Sequence, residues 1–529
     1  MAPTEQWVGR LSTTIKGMSR KGRDVAVRSG KVRSEQFMQS IRFEDWKRWQ
    51  QEGCSHLPAG LVVRGEAAPQ SWSAFSAAPV TVLLESAQSG RYSYMCDRPA
   101  RIIVGEADAA QIRAGDGTTQ LSRRSGTPLE ILAALLAEKR TPRLAGWPAM
   151  TGGLIGAFGY DLVRTWERLP IKAKRDLGLP LYAMIEPQEL FVYDRADESL
   201  AILVWCDLAQ GGATLEERFE AAQVNAAAAL RRWRKAGENH ELPTVEAVPG
   251  SETSTTSFTP AEFCAAVRRI QEYISAGDTY QVNLSLRTSR GSAVPPEAIY
   301  EALRRVNPSP YMGLLRFPEF ALVCGSPELL VHLENGLISS RPIAGTRRRG
   351  TVAGEDSQLS VELLANEKER AEHLMLVDLI RNDIGRVAAF GSVTVREFMV
   401  LERYSHVMHI VSQVEGQLAA GRNWADVVKS MFPGGTITGC PKIRTMEIIE
   451  ELEPVGRGFY TGALGWISDH GEMEFNIVIR SMLVQDGVVH VQAGAGIVAD
   501  SKPERELDEA LRKAEASWVA LREATQPHA

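Results

Sequence analysis

The 529-residue sequence has no run of about 18 consecutive apolar residues, so it holds no membrane-spanning helix. Its N-terminus also lacks the apolar core of a secretory signal. A membrane or secreted protein is therefore not expected, and the chain is read as cytoplasmic. Cysteine is scarce. The six residues, Cys54, Cys96, Cys206, Cys264, Cys324 and Cys440, are scattered and form no C-x-x-C pair. That pattern suits reduced thiols and argues against a disulfide framework or a zinc site. Neither sign of charge dominates: 60 Lys and Arg face 65 Asp and Glu, a net charge of -5, which argues against bulk nucleic-acid binding. No low-complexity tract and no repeat of about 20–50 residues is present.

What remains is ordinary globular composition, 44% apolar and 24% charged. Residues 10–33 are basic, with only Asp24 opposing eight Lys and Arg. A solvated leader is favoured there over an organelle transit peptide. Residues 236–258 are polar, rich in Ser, Thr, Glu and Pro, and without apolar period, so they read as a linker. This divides the chain into an unassigned extension (1–65), a first region (66–235) and a second domain (259–522). Residues 80–86 and 200–205 predict buried strands, and 128–140 an amphipathic helix. In the second domain Thr259, Pro260 and Glu262 form a helix start signal. Strand-like runs follow at 321–325, 463–467, 475–484 and 488–494, with helical runs at 363–379 and 503–521. Strands and helices interleave without a βαβ rhythm, so the fold class is α+β.

Several groups of residues admit both a chemical and a structural reading. Glu369 with Glu372, and Glu506 with Glu509, are spaced i, i+3 and project from one helix face each. Such faces are usually solvated; if the two helices met, four carboxylates would suit a Mg²⁺ ion with oxygen-only ligands. Ser501 and Glu504 fit a capping box ahead of the second helix. Gly494 and Gly496 follow a strand and allow an anion to approach the backbone, but the pattern is not G-x-G-x-x-G. Residues 432–442 are Gly-rich without the order of an ATP-binding P-loop. His406 and His409 suit either a metal or a core hydrogen bond. Arg480, within an apolar run, requires an anionic partner, from a structural carboxylate or from a ligand.

The ordered motifs GSPELL (325–330), RPIAGTRRRG (341–350), NEKERAEHLMLVDLIRNDIGRV (366–387), YSHVMHIVS (404–412), FPGGTITGCPKIRTMEII (432–449) and AGAGIVADS (493–501) resemble the chorismate-utilising enzymes. LLES (83–86) and TGGLIGAFGYDLVR (151–164) extend the resemblance into the first region, which looks like the N-terminal part of the anthranilate synthase large subunit. The resemblance implies stacked antiparallel sheets flanked by helices, and a chorismate-binding catalytic domain over 259–522. It implies Mg²⁺ held mainly by Glu372 and Glu509, with Glu369 and Glu506 supporting. Tyr460, Arg480, Gly494, Gly496, Lys513, Ala344 and Thr346 fall on substrate-binding positions. Glu328 and His409 fall on acid/base positions. Gln281 stands where relatives that add water carry lysine, which implies ammonia as nucleophile.

No cysteine lies in a Gly-x-Cys-x-Gly turn, so ammonia is expected from a separate glutamine amidotransferase subunit. Two branches of the family fit best. Gly434 in FPGGTITG, GRYSY (90–94) and residues 449–466 are closer to the large subunit of aminodeoxychorismate synthase, which is preferred. Ala344 is more usual in anthranilate synthases. Leu84, Glu85 and Ser86 with Pro310, Tyr311 and Met312 resemble the tryptophan pocket of that second branch, so bound tryptophan is a possible partner. A noncatalytic subunit binding tryptophan or chorismate is the alternative of a different class.

Overall fold

The computed structural model describes residues 37–525 apart from 76, 87–89, 210, 239–253, 351–353 and 404–406. The basic leader, most of the expected linker and His406 lie outside the described residues, as does the side chain of Thr346. Every strand ladder among the described residues is antiparallel, and the strands join into one hydrogen-bonded network.

The layering follows from where alternate side chains go. Strand Tyr182–Asp194 is buried at every position but Gln188, so it shows no polar alternation. Along it Ile185, Leu190 and Val192 enter a cluster built almost wholly from strands. Their neighbours Met184 and Phe191 enter two other clusters, which contain helices. A strand covered on both faces reads as a continuous apolar run. One outer layer holds helices Leu215–Glu238, Pro296–Val306 and Pro503–Ala524, through Trp233, Leu303 and Trp518. Another holds Pro128–Ala137, Glu367–Gly385 and Trp424–Met431, through Leu132, Ile380 and Val428. This is the α+β arrangement of stacked antiparallel sheets with helices outside.

Ladders run between the first region and the second. Strand Thr81–Glu85 pairs with Tyr311–Arg316, and Gly153–Phe158 pairs with Ala463–Ser468. Helix Leu215–Glu238 runs into the expected linker, and Thr255–Thr256 pairs with the strand Gln281–Gly291. Within the unassigned 1–65 stretch, residues 37–64 form strand, helix and strand. Trp46 is fully buried there and donates its indole N–H to the Pro58 carbonyl at 2.8 Å.

Local signals decided some elements and misled at others. Thr259 and Glu262 form their reciprocal capping box. The capping box expected from Ser501 and Glu504 does not form. Lys502 occupies the N-cap, Ser501 Oγ instead accepts from Val498 N–H at 3.1 Å, and Glu504 faces Arg268. The run 363–379 is two helices, because Asn366 ends one and caps the next by accepting from Glu369 N–H at 3.1 Å. The run 475–484 is two strands, broken at Arg480 with φ of 53°.

One buried ion pair fixes several of these pieces. Arg457 and Glu453 are each 2% exposed in the side chain and meet at 2.7 Å. Arg457 also donates to the carbonyls of Ile437 and Asn283, and Glu453 accepts from Ser285 N–H and Oγ–H. A buried charge left without its partner is costly. Arg457→Met is therefore expected to destabilise the fold by about 3–5 kcal/mol. Adding Glu453→Gln, which removes the stranded charge, is expected to restore part of that loss. Urea unfolding of the three chains measures both.

Candidate active site

The two acidic helices approach the same region. Glu369 and Glu372 lie in the first turns of Glu367–Gly385, and Glu506 and Glu509 in those of Pro503–Ala524. Burial pushes the Glu372 carboxyl up, and the charges of Glu369 and Glu509 push it further, while a hydrogen bond from Gln281 opposes them. That bond runs from Gln281 Nε2 to Glu372 Oε1 at 3.1 Å. Burial also raises Glu506, with Glu509 adding to it and Lys513 opposing. Yet among the described residues no three His, Cys, Asp or Glu side chains are gathered closely enough to hold an ion. Two of the four carboxylates are instead held by protein cations. Glu369 meets Arg347 at 3.1 Å, and Glu509 meets Lys513 at 2.7 Å. Oxygen donors alone, spread over two helices, suit a hard divalent cation that keeps part of its water.

Strand Gln281–Gly291 runs beside Val488–Ile497 and brings Gln281 and the two glycines together. A Cβ on Gly496 would stand 2.4 Å from Gln281 Nε2, and one on Gly494 would stand 2.5 Å from the Leu284 carbonyl. Both glycines thus clear space for neighbours within the protein, Gly496 for the Gln281 amide itself. The Gly494 carbonyl accepts from Lys513 Nζ at 3.0 Å.

Glu328 follows strand Ala321–Ser326 and is buried, its carbonyl accepting from Ile477 N–H at 3.0 Å. Burial pushes its carboxyl up to about 7, against the Thr436 hydroxyl and the Lys513 ammonium, which favour the charged form. Thr436 Oγ1 is buried and closes no hydrogen bond of ordinary geometry, so a polar oxygen stands ready beside the acid. His409 lies opposite Thr346 in the ladder of Ile343–Arg348 with Val407–Gln417. Its Nδ1 meets the Gly345 carbonyl at 3.3 Å. A carbonyl only accepts, so this contact puts the proton on Nδ1 and the lone pair on Nε2. Burial lowers the His409 pKa, keeping the ring neutral. Ala344 is buried two residues from Thr346.

Arg480 occupies the left-handed turn between two strands, and its guanidinium meets the Lys513 carbonyl at 3.4 Å. Among the described residues it forms no ion pair with a carboxylate. Burial depresses its pKa, while Tyr460 and Glu509 oppose that effect. Tyr460 is raised by burial and lies over Arg457, 5.8 Å from guanidinium to ring centre. Three residues with evident roles here escaped the sequence reading: Thr436, Arg347 and Gly345. Gly345 has φ of 63°, and a Cβ on it would stand 3.1 Å from Glu369 Oε2. Its place in a motif was the only available signal.

Leu84, Glu85, Ser86, Pro310, Tyr311 and Met312 all line one cavity of ≈ 240 Å³, with Trp466, Glu474 and Asn476 opposite. The Glu85 carboxylate is engaged elsewhere, by Tyr300 and Arg304 at 2.8 Å each. Asn476 belongs to the strand whose next residue, Ile477, holds Glu328.

The family of chorismate binding enzymes matches residues 80–518. The aminodeoxychorismate synthase component 1 of Bacillus subtilis is 44% identical over 444 residues, 83% of this chain and 91% of that protein. The anthranilate synthase component 1 of Thermus thermophilus is 45% identical over 448 residues, 84% and 92% of the two chains. The crystal structure of anthranilate synthase component I from Streptococcus pneumoniae superimposes with a TM-score of 0.70 at 31% identity, over 81% of this chain and 92% of that one. The family match runs from before the cavity's first strand to beyond Lys513, and on that ground this chain belongs to the chorismate binding enzymes.

Proposed function

We propose that the chain is the large subunit of an aminodeoxychorismate synthase, converting chorismate and ammonia to 4-amino-4-deoxychorismate and water. The observation that carries the chemistry is the burial of Glu328 beside the Thr436 hydroxyl and the Lys513 ammonium, where burial pushes its carboxyl up to about 7; an acid for the C4 hydroxyl serves both branches. Hydroxide is a poor leaving group, and a carboxyl kept protonated near neutral pH can supply the proton it needs. Chorismate is a dianion. Arg480 and Tyr460 would take the enolpyruvyl carboxylate, for which a guanidinium fork is suited. Glu372 and Glu509, with Glu369 and Glu506, would hold Mg²⁺, which neutralises the ring carboxylate when bound.

The residues then divide the proton transfers. Ammonia adds at C2, both ring double bonds shift, and the C4–O bond breaks as Glu328 protonates the departing hydroxyl. His409 Nε2 takes the surplus proton from the new ammonium. A second ammonia adds at C4 and gives its proton to the Glu328 carboxylate, while the C2 amine leaves with the proton from His409. This route needs no covalent lysine and so accommodates Ala344. Gly434 is the residue in FPGGTITG that resembles this branch, and a methyl there would stand 2.8 Å from Ile477 Cδ1. Ammonia would come from a separate amidotransferase subunit, since no cysteine here has the nucleophile turn.

The second reading is anthranilate synthase, in which the C2 amine stays and pyruvate leaves. The cavity beside Tyr311 and Asn476 favours it, as a candidate tryptophan site.

Purified protein with chorismate, Mg²⁺ and ammonium decides between them. The proposal predicts no aromatic product alone and p-aminobenzoate once an aminodeoxychorismate lyase is added. Anthranilate without lyase would establish the second reading. Glu328→Gln is expected to lower ammonium-dependent turnover by about 10²–10⁴-fold in the same assay. Its stability has a signed pH dependence as well. A carboxyl raised to about 7 in the folded chain favours folding below its unfolded pKa, and this advantage is lost as pH rises toward 7. Wild type should therefore lose about 3 kcal/mol relative to Glu328→Gln between about pH 4.5 and 8, read from urea unfolding at each pH.

A further inference from the structure

Arg347 contacts two carboxylates on two successive helices. Its Nη1 meets Glu369 Oε1 at 3.1 Å, and its Nε meets Glu362 Oε1 at 3.2 Å. Glu362 belongs to Glu355–Ala365, and its side chain is 60% exposed. Glu369 opens the next helix, with its other oxygen close over the Gly345 backbone. The guanidinium therefore has one partner among the proposed metal ligands and another outside them. A divalent cation recruiting Glu369 must compete with Arg347, and Arg347 keeps a partner in Glu362 when it yields.

We infer that Arg347 is a positioning residue that competes with the divalent cation for Glu369, with Glu362 as its alternative partner. This rests on the metal site proposed above. Two variants should then act in opposite directions. Arg347→Gln removes the competitor and tightens cation binding. Glu362→Gln leaves Arg347 committed to Glu369 and weakens it. A residue that merely held the two helices together would not give opposite signs.

The test is Mn²⁺ titration of the full chain, with chorismate present and no nitrogen donor, following the free-ion signal by electron paramagnetic resonance. The expected result is a Kd about three- to fivefold lower for Arg347→Gln, and higher by a similar factor for Glu362→Gln, the range expected of a part-exposed ion pair. Adding Glu362→Gln to Arg347→Gln should change nothing further. Glu362→Gln alters an exposed side chain and serves as the test on its own if Arg347→Gln does not fold. Unchanged or weaker binding by folded Arg347→Gln, or unchanged binding by Glu362→Gln, would overturn the inference while leaving the metal site intact. Wild-type protein that binds no Mn²⁺, or binding indifferent to Glu372→Gln, would overturn the metal site and the inference with it.

Discussion

The site depends first on the ion pair between Arg457 and Glu453. Both side chains are almost wholly buried, and their remaining bonds go to backbone and hydroxyl groups of separate segments. Through Asn283 and Ser285 the pair holds the strand that begins at Gln281. Through Ile437 it holds the Gly-rich loop that carries Thr436. Through its own short segment it sets the turn bearing Tyr460. Buried pairs contribute little net stability compared with apolar packing, but breaking one is expensive. Here the pair ties three pieces together by hydrogen bonds in addition to the ladder and the apolar packing that already hold the strand.

Around that frame the charges are arranged unevenly. Carboxylates dominate the ends of two helices, yet Glu369 and Glu509 each have a protein cation, and Gln281 donates to Glu372. Arg480 has no acidic partner among the described residues, which suits an anion from outside the chain. Glu328 faces Lys513 of the second acidic helix, and owes its raised pKa to burial rather than to a neighbouring carboxylate. Lys513 thus links the carboxylates of the two helices to the buried acid. The cavity lined by Tyr311 and Asn476 is one residue removed from the backbone contact that holds Glu328, so the strand Met473–Ile477 touches both cavity and acid.

Much of this was legible in the sequence because motif and local physics agreed. Thr259–Pro260–Glu262 opens a helix as its side chains dictate, and each of the apolar runs read as strands falls on a strand, the run 475–484 on two. The six cavity residues, far apart in the chain, were grouped by resemblance, and antiparallel pairing of their strands brings them together. Other features were invisible for stated reasons. Residues 37–64 carry no motif, and their Trp46 core becomes evident only when packed. Arg480 gives no turn signal, because a left-handed arginine is selected by its surroundings rather than by propensity. Ser501 offered the right residue for a cap but bonds backward to Val498. Periodicity placed four glutamates on two helix faces but could not show that Arg347 and Lys513 already hold two of them.

The central claim is that burial keeps Glu328 protonated near neutral pH, where it can serve as an acid. Infrared difference spectra recorded through a pH titration read that protonation directly. The account predicts a carboxylic-acid carbonyl band that disappears with a midpoint of about 7 in wild type and is absent from Glu328→Gln. A band that titrates in the ordinary carboxylate range, or one that persists in Glu328→Gln, would contradict it.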